Sequence, residues 1–470
     1  MSDLTKEHED FTEMKSRWEM CEHAAEGEHA VHKEREKYLP KLRDEDEDAY
    51  KLRLRMTPFF NATWRTVSGM RGMLFRKPAR TKFSSKLESI VDDIDLAGTT
   101  LTGLVQEVVE EALVLGRVGL LVDYPSVAPW ATLADARAVR VARPMIQLYE
   151  AGSIYNWKEI AVNGVRSLVQ VRLIEEADVE QDDEFATKRE KRYRVLDLHQ
   201  GKYRQRVFRA TIDGDEQQVG EDIFPLMNNQ PMTFIPFVVV GVDHVGMEVE
   251  APPLIDLVTT NFHHYMQATS YERGCFFSGL PTMFISGMED SDGEISIGGP
   301  VANALGNPNA KAYYVEVASN FEALRTNLED KKREMAVLGA RMLESTKASG
   351  VEAAETVARR QSGKESVLAS MATTVSQGVT RALSWADLWL GSDGDVVYEL
   401  NKDFLPQAMT AQELTALVSS WQNGAISQQT LFANLKAGEI VDEETTFEVE
   451  QARIADAIAQ FAAGNQPPPM

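Results

Sequence analysis

The sequence predicts an α+β fold in which helices predominate, and three observations lead to that class. Between residues 144 and 243, short apolar stretches alternate with turn residues and charged segments, which is the pattern of antiparallel strands. Before and after that region, apolar side chains recur at helical spacing over long stretches. The last part of the chain, 391–470, is acidic, with three Lys and Arg against twelve Asp and Glu. We expect a first half of mixed helix and sheet and a second half dominated by helices.

The first half begins with charged segments of helical texture. Residues 3–32 and 47–78 have helical spacing, and Pro78 ends the second of them. Residues 100–116 form an amphipathic helix with a glycine at its end, and 116–125 reads as a buried strand closed by a proline. The strands between 144 and 243 form an antiparallel meander, in which the HQGK turn makes a hairpin.

The second half is predicted to contain two consecutive helices separated by an insertion. A helix over 252–274 starts at a proline pair, and the segment 275–318 is rich in Gly, Pro and Asn with short apolar strands. Over 319–345, Ser319 and Glu322 make a capping box. Apolar residues then follow at alternating steps of three and four, with Lys331 filling one gap: Phe321, Leu324, Leu328, Met335, Leu338 and Met342. This single narrow seam, on a helix roughly 40 Å long, indicates neighbours on one side and water on the other.

A polar loop and another long helix follow. The loop, STKASGVEAAE, carries no large apolar residue and is predicted to be mobile. The helix runs from about Glu355 to Leu390 and has one face of Ala, Ser, Thr and Gly, which lets another helix approach closely. Its apolar face consists of Leu368, Met371, Val375, Val379 and Leu383. A strand is expected within DVVYELNKDF, 395–404.

Composition excludes several classes of function. The 470 residues are enough for about three domains. A net charge of −23 argues against a protein that reads DNA sequence through a basic face, but not against one that surrounds DNA without sticking to it. Cys21 and Cys275 form no disulfide framework, which fits a reducing compartment. The longest apolar runs, such as 234–242, are about half a membrane span, so we expect a soluble protein made in the cytosol, without a membrane partner.

A possible nucleotide-binding loop near residue 363 lacks two of the residues that a P-loop requires. The segment SGKES resembles the end of a P-loop, but Ala358 stands where the first glycine belongs and Glu365 stands where a Ser or Thr would hold magnesium. The chain also contains no G-x-S-x-G, H-E-x-x-H or C-x-x-C motif. We therefore expect no enzymatic activity and no cofactor.

Other conspicuous side chains have ordinary interpretations. The run Lys331, Lys332 and Arg333 is typical of a solvated helix face, and pairing across a subunit interface is the alternative. We expect surface positions, and no metal site, for His23, His29 and His32. His263 and His264 are adjacent on a helix, so their side chains point about 100° apart and are not expected to share an ion. Trp385 and Trp389, four apart, are expected to be packing anchors rather than a stacking platform.

Four segments, in this order, carry a resemblance to a known family. They are WEMCEHAAEGEHAVHKEREKYLPKL (18–42), RTVSGMRGMLFRKP (65–78), IQLYEAGSIYNWKE (146–159) and NGAISQQTLFANLKAGEIVDEETTFEVEQARI (423–454). With the order of helices and insertion described above, the chain resembles tailed-bacteriophage portal proteins. It is most similar to a portal-like family formerly of unknown function.

The resemblance implies a fold and a set of partners. Portal proteins are ring-shaped homo-oligomers of about twelve copies, often homododecamers, with long stem helices around a central channel at one capsid vertex. The genome enters through the channel during packaging and leaves through it during ejection. The implied partners are double-stranded DNA without sequence specificity, the terminase large subunit, the major capsid or scaffold protein, and a head-completion or adaptor protein at the head–tail connector. The implied location is the virion, after synthesis in the host bacterial cytoplasm.

The resemblance also divides the chain into parts. The parts are a wing (1–251), a first stem helix (252–274), a clip (275–318), a second stem helix (319–345), a channel loop (346–354), a long helix and a strand returning to the wing (355–404), and an acidic helical crown with a disordered tail (405–470).

Two sets of site residues follow from this division. The candidates for contact with DNA in the channel are Lys347, Arg341, Ser345, Thr346 and Ser349. The candidates for the subunit interface are Leu324, Leu328, Lys331, Lys332, Arg333 and Leu338. Two other classes of function stay open: another homo-oligomeric virion scaffold or connector without a DNA channel, and an enzyme of unrecognised chemistry.

Overall fold

The structure is a computed structural model, and it describes most of the chain. The described residues are 4–125, 143–162, 164–179, 188–210, 216–279, 282–287, 309, 311–315, 321–340, 366–404, 411–423, 425–437, 440–441 and 445–464. They form a mixture of helix and sheet, as the sequence predicted.

The helices, in chain order, are α1 (Glu9–Glu26), α2 (Glu28–Lys33), α3 (Glu47–Met56), α4 (Ala62–Leu74), α5 (Ser85–Glu88), α6 (Leu101–Leu115), α7 (Ile255–Gly279), α8 (Glu322–Ala340), α9 (Val367–Trp389), α10 (Ala411–Gln422), α11 (Gln428–Ala437) and α12 (Phe447–Gly464). The strands are β1 (Arg80–Lys82), β2 (Arg117–Asp123), β3 (Met145–Glu150), β4 (Ile154–Val162), β5 (Val165–Val179), β6 (Lys188–His199), β7 (Lys202–Ala210), β8 (Glu216–Ile223), β9 (Leu226–Met227), β10 (Gln230–Pro231), β11 (Phe237–Gly241), β12 (Thr282–Ser286), β13 (Lys311–Val315) and β14 (Val397–Glu399).

A three-stranded antiparallel sheet with the order β11-β2-β3 lies in the main hydrophobic core. Every residue of β2 and β11 is buried, which agrees with the continuous apolar runs of both segments. Leu120 of β2 pairs with Val238 on one side and Leu148 on the other. The buried strand predicted from 116–125 is therefore confirmed.

The second large sheet is a meander of five antiparallel strands in sequence order, β4-β5-β6-β7-β8. Its central hairpin joins β6 to β7 through Gln200 and Gly201, both of which have positive φ. Positive φ at both turn residues is the geometry of a type I′ turn, which matches the right-handed twist of the strands. The HQGK hairpin and a meander over residues 154–223 are confirmed, whereas the first and last strands predicted for the meander, β3 and β11, pair with β2 in the three-stranded sheet instead.

Helix α9 lies across the three-stranded sheet, and it corrects two expectations. It begins at Val367 rather than near Glu355, because the backbone of Ser366 is extended and its Oγ accepts a hydrogen bond from the Ala369 N–H at 3.2 Å. At Gly378, the close neighbour of its small-residue face is a strand rather than the expected helix: a Cβ there would lie 2.3 Å from Cγ2 of Val240 in β11.

The segment that follows α9 returns to the first half of the chain. Strand β14 pairs antiparallel with β1, with Tyr398 opposite Thr81.

Trp389 packs at the end of α9, where its Nε1 donates a hydrogen bond to the Leu226 carbonyl at 2.9 Å. Trp385 packs against Phe234, with ring centres 5.5 Å apart. Both tryptophans are packing anchors, as predicted.

Candidate functional site

Helices α7 and α8 form an antiparallel helical hairpin, which contains the predicted stem segments. At one end, a Cβ on Gly274 would lie 2.5 Å from Cε1 of Phe321. At the other end, the Cβ position of Gly339 is 3.7 Å from Cδ1 of Leu257. The 25 residues of α7 give the hairpin a length of about 37 Å.

A β-hairpin continues the chain between the two helices. Strands β12 and β13 pair antiparallel, from Thr282 opposite Val315 to Ser286 opposite Lys311. The sequence predicted short strands in this insertion, and the described residues contain them. Most of the remaining residues of 275–318 lie outside the described part of the chain.

Asn261 fixes the hairpin to α4. Its side chain is fully buried, and its Oδ1 accepts hydrogen bonds from the backbone N–H groups of Ala62 and Thr63 at 3.2 and 3.3 Å. Its Nδ2 donates to the Phe60 carbonyl at 2.8 Å. One side chain of α7 thus satisfies donors at the N-terminus of α4 that no helical carbonyl can reach. Sequence reasoning missed Asn261, because a polar residue on an otherwise mixed helix face carries no local signal of its partner.

The apolar seam of α8 is covered by its own chain. Met335 is buried with Leu257 and Ala62, and Leu338 packs against that cluster. The other predicted interface residues of the seam, Leu324, Leu328 and Lys331, are partly exposed. This packing within one subunit is enough to explain the spacing of the apolar residues of α8. Contact of these residues with a neighbouring subunit stays a prediction.

Lys332 and Arg333 are both exposed but have different surroundings. The Lys332 Nζ lies 4.9 Å from the centre of the Phe60 ring, and the Arg65 guanidinium lies 4.7 Å from the same ring. Arg333 is 76% exposed and pairs with Asp330, one turn earlier, at 3.2 Å. Arg333 therefore has the solvated position expected of a charge run, whereas Lys332 extends over an aromatic ring.

His264 is buried beneath this surface, with only 5% of the side chain exposed. Burial, together with the nearby charges of Lys332 and Lys331, lowers its pKa to about 4, so the ring is neutral at pH 7. Its neighbour His263 is exposed. The two rings thus lie in different environments.

His29 is exposed, as predicted, whereas His23 and His32 are only partly exposed and contact other parts of the chain. His23 Nδ1 lies 2.8 Å from the Tyr38 hydroxyl, and His32 Nε2 lies 3.0 Å from the Thr57 carbonyl. Ligand atoms of Glu19, His23 and Glu34 lie within 4.8 Å of one another. The Lys37 ammonium already lies among them, 2.7 Å from Glu19 Oε1 and 3.9 Å from Glu34 Oε2. The cluster is therefore an ion-pair network that joins α1 to the turn after α2.

The predicted channel residues lie outside the described part of the chain. They are Arg341, Ser345, Thr346, Lys347 and Ser349, together with the loop 346–354 and the P-loop-like segment up to residue 365. Among the residues that are described, no helix is long and apolar enough to cross a membrane.

A protein-family model described as "Domain of unknown function (DUF4055)" matches residues 253–390. This range contains the helical hairpin, the β-hairpin and α9. The four segments that carry the resemblance to portal proteins lie outside it. No curated protein matched the sequence.

Three solved structures are similar to the chain over most of its length. The first, "Neck of empty GTA particle computed with C6 symmetry", is 12% identical with a TM-score of 0.39 and covers 80% of this chain and 90% of that chain. The second, "Virion of native gene transfer agent (GTA) particle", is 12% identical with a TM-score of 0.37 and covers 85% and 95%. The third, "Neck of native GTA particle computed with C12 symmetry", is 13% identical with a TM-score of 0.35 and covers 80% and 89%.

Proposed function

We propose that the chain is the subunit of a phage-type portal, a ring of about twelve copies at one capsid vertex that forms the channel for DNA packaging and ejection. The observation that carries the proposal is the antiparallel hairpin of α7 and α8, with a β-hairpin between its helices and a helix of the sheet core, α9, after it. In this proposal the hairpin is the stem, the β-hairpin belongs to the clip, and residues 405–470 form the crown.

The distribution of charge suits a conduit for DNA. Residues 319–366 contain nine Lys and Arg against eight Asp and Glu, in a chain whose net charge is −23. Duplex DNA carries one negative charge per about 1.7 Å of axis, so a strongly basic channel would hold it still. Weak attraction from a few lysines and arginines, within walls that otherwise repel DNA, allows the duplex to slide.

In this proposal the chain has no enzymatic activity of its own. Terminase, docked at the clip, supplies the energy for packaging, and a head-completion or adaptor protein later occupies the same end. The location is the virion.

Negative-stain electron microscopy of the purified protein tests the proposal. We expect class averages of closed rings with an open centre wide enough for duplex DNA. Filaments, or closed assemblies without a channel, would contradict the portal and favour a virion scaffold or connector instead.

Lys347 provides a second test, at the level of the channel. A ring repeats each side chain in every subunit, so Lys347→Glu replaces a belt of positive charge with a negative one. We expect normal ring assembly and a loss of packaged DNA, measured as DNA content per particle. Lys202→Glu, an exposed position at the β6–β7 turn, is the matched control. Failure of the Lys347→Glu rings to assemble would show that Lys347 is structural.

A further inference from the structure

The helical hairpin has two flanks of opposite character. The first, called here the basic flank, consists of Trp64, Arg65 and Lys332 around the ring of Phe60. Trp64 is 38% exposed, and the guanidinium of Arg71 lies 5.8 Å from its ring centre. Arg65 and Lys332 are exposed above Phe60. This flank therefore presents cations and an exposed aromatic side chain together.

The second flank, called here the acidic cleft, opens between α7 and α8. An open cavity of about 610 Å³ is lined by Asp256, Thr259, Thr260, His263, Glu334, Val337 and Leu338. A neighbouring cavity of about 420 Å³ shares Asp256 and Leu338 and adds Asp243 and Glu250 to its walls. Val337 is 55% exposed, so the cleft combines carboxylates with an apolar wall.

The two surfaces lie on opposite sides of the same pair of helices. Successive residues of a helix are rotated by about 100°, so Glu334 and Val337 are about 200° and 140° from Lys332 on α8. On α7, Asn261 contacts α4 beside the basic flank, and His263 is about 200° away from it. A surface of one copy can therefore face the opposite surface of the next copy in the same orientation.

Two exposed glycines border the basic flank. A Cβ on Gly69 or on Gly72 of α4 would meet no atom within 4 Å. Glycine destabilises the interior of a helix relative to alanine, and no packing among the described residues requires it at these positions. Close approach of another chain to this surface would explain why glycine occupies both positions.

We propose that the basic flank of one copy docks in the acidic cleft of the next, with Arg65 and Lys332 facing Asp256 and Glu334, and Trp64 against the wall of Val337. The partner is a second copy because the two surfaces complement each other in charge and each is present once in every chain. The contact is heterologous, which is the type that builds rings when the rotation closes. The inference rests on the proposed portal ring and assigns surfaces to its subunit contact.

Charge reversal on each flank tests the docking. The first variant carries Arg65→Glu and Lys332→Glu, and the second carries Asp256→Lys and Glu334→Lys. We expect each variant alone to lose at least tenfold in the fraction assembled, measured by mass photometry and analytical ultracentrifugation. An equimolar mixture should recover assembly, because the reversed flank of one variant then faces the reversed cleft of the other. A double reversal at exposed positions of the five-stranded sheet, Lys158→Glu with Lys202→Glu, is the matched control and should assemble normally.

The result that would overturn the docking is normal assembly by both reversal variants, or a mixture that stays dissociated while each variant keeps the wild-type circular dichroism. Arg65→Gln with Lys332→Gln replaces the first variant if the reversal unfolds the chain, and it should weaken assembly in the same direction. A wild-type chain that stays monomeric at every concentration would also overturn the docking.

Electron microscopy of the same samples separates the two proposals. Rings with a channel in the reversal variants would support the portal proposal and exclude the proposed docking. Rescued assemblies without a channel would support the docking and exclude the portal proposal.

Discussion

Arg117 places a buried positive charge at the first position of β2. Only 1% of its surface is exposed, and its guanidinium carbon lies 4.6 Å from the centre of the Trp157 ring. Among the described residues, none of its three side-chain nitrogens has a hydrogen-bond partner. Burial, partly offset by the attraction of Asp10, lowers its pKa to about 10, so the charge persists at pH 7.

Replacing Arg117 with Met should therefore stabilise the fold. A buried charge without hydrogen bonds costs more than an apolar side chain of similar length, so we expect a gain of about 1–3 kcal/mol in the free energy of unfolding. The midpoint of urea unfolding measures it, with Arg189→Met at a 73% exposed position as the control. A lower midpoint for Arg117→Met would mean that Trp157 and Asp10 more than compensate for the burial.

Glu111 makes the stability of the fold depend on pH. Burial, together with the nearby carboxylates of Glu150 and Glu22, raises its pKa from 4.5 to about 8. The folded chain keeps a proton on Glu111 that the unfolded chain has released above pH 4.5. This contribution to stability is complete below pH 4.5 and is lost as the pH rises towards 8.

Glu111→Gln should remove that dependence. The variant's stability relative to the wild type should increase by about 2–4 kcal/mol from pH 5 to pH 8, at about 1.4 kcal/mol per pH unit. Urea unfolding at the two pH values measures this, and Glu159→Gln, at an exposed position of β4, controls for the change in net charge. Equal differences at both pH values would show that Glu111 titrates normally.

At the scale of elements, the sequence predicted the helices and turns that residues close together in the chain determine. The spacing of apolar residues located α7 and α8, and the turn residues located the β6–β7 hairpin, because both depend on neighbours within a few positions. The start of α9 at Val367 was not predicted, because a single serine at position 366 does not stand out in the sequence as the cap of a helix. What an element packs against depends on contacts distant in sequence. The strand facing Gly378, the amide of Asn261 and the partners of His23 were therefore not predictable.

The glycines of α9 and α4 permit a matched prediction. Gly378→Ala puts a Cβ within 2.3 Å of Val240, so overpacking should destabilise the chain by about 1–3 kcal/mol in spite of the better helix propensity. Gly69→Ala puts a Cβ into open space, so the subunit should gain up to about 1 kcal/mol. Thermal unfolding of both variants measures the contrast. Destabilisation of the unassembled subunit by Gly69→Ala would show that this face of α4 is already covered within the subunit.

At the scale of the whole molecule, the hydrophobic core and the acidic C-terminal helices are distinct. The described residues of the main core run as far as Phe404. Beyond it, α10, α11 and α12 have contacts among themselves, including the rings of Phe432 and Phe447 at 5.5 Å between centres. Several of their apolar side chains, such as Trp421 and Ile454, are exposed.

Removal of residues 405–470 should therefore leave the rest of the fold intact. We expect the melting temperature of the main unfolding transition to change by less than about 3 °C, because a loss of 1 kcal/mol shifts a domain of 150–250 residues by about 2–4 °C and a larger one by less. Differential scanning calorimetry measures the transition, and a chain that lacks only 465–470 is the control. Because the proposed docking surfaces all lie before residue 341, the truncated chain should also keep the assembly state of the full chain. A much lower melting temperature would show that the C-terminal helices stabilise the core, whereas loss of assembly with the core intact would show that they hold the subunits together.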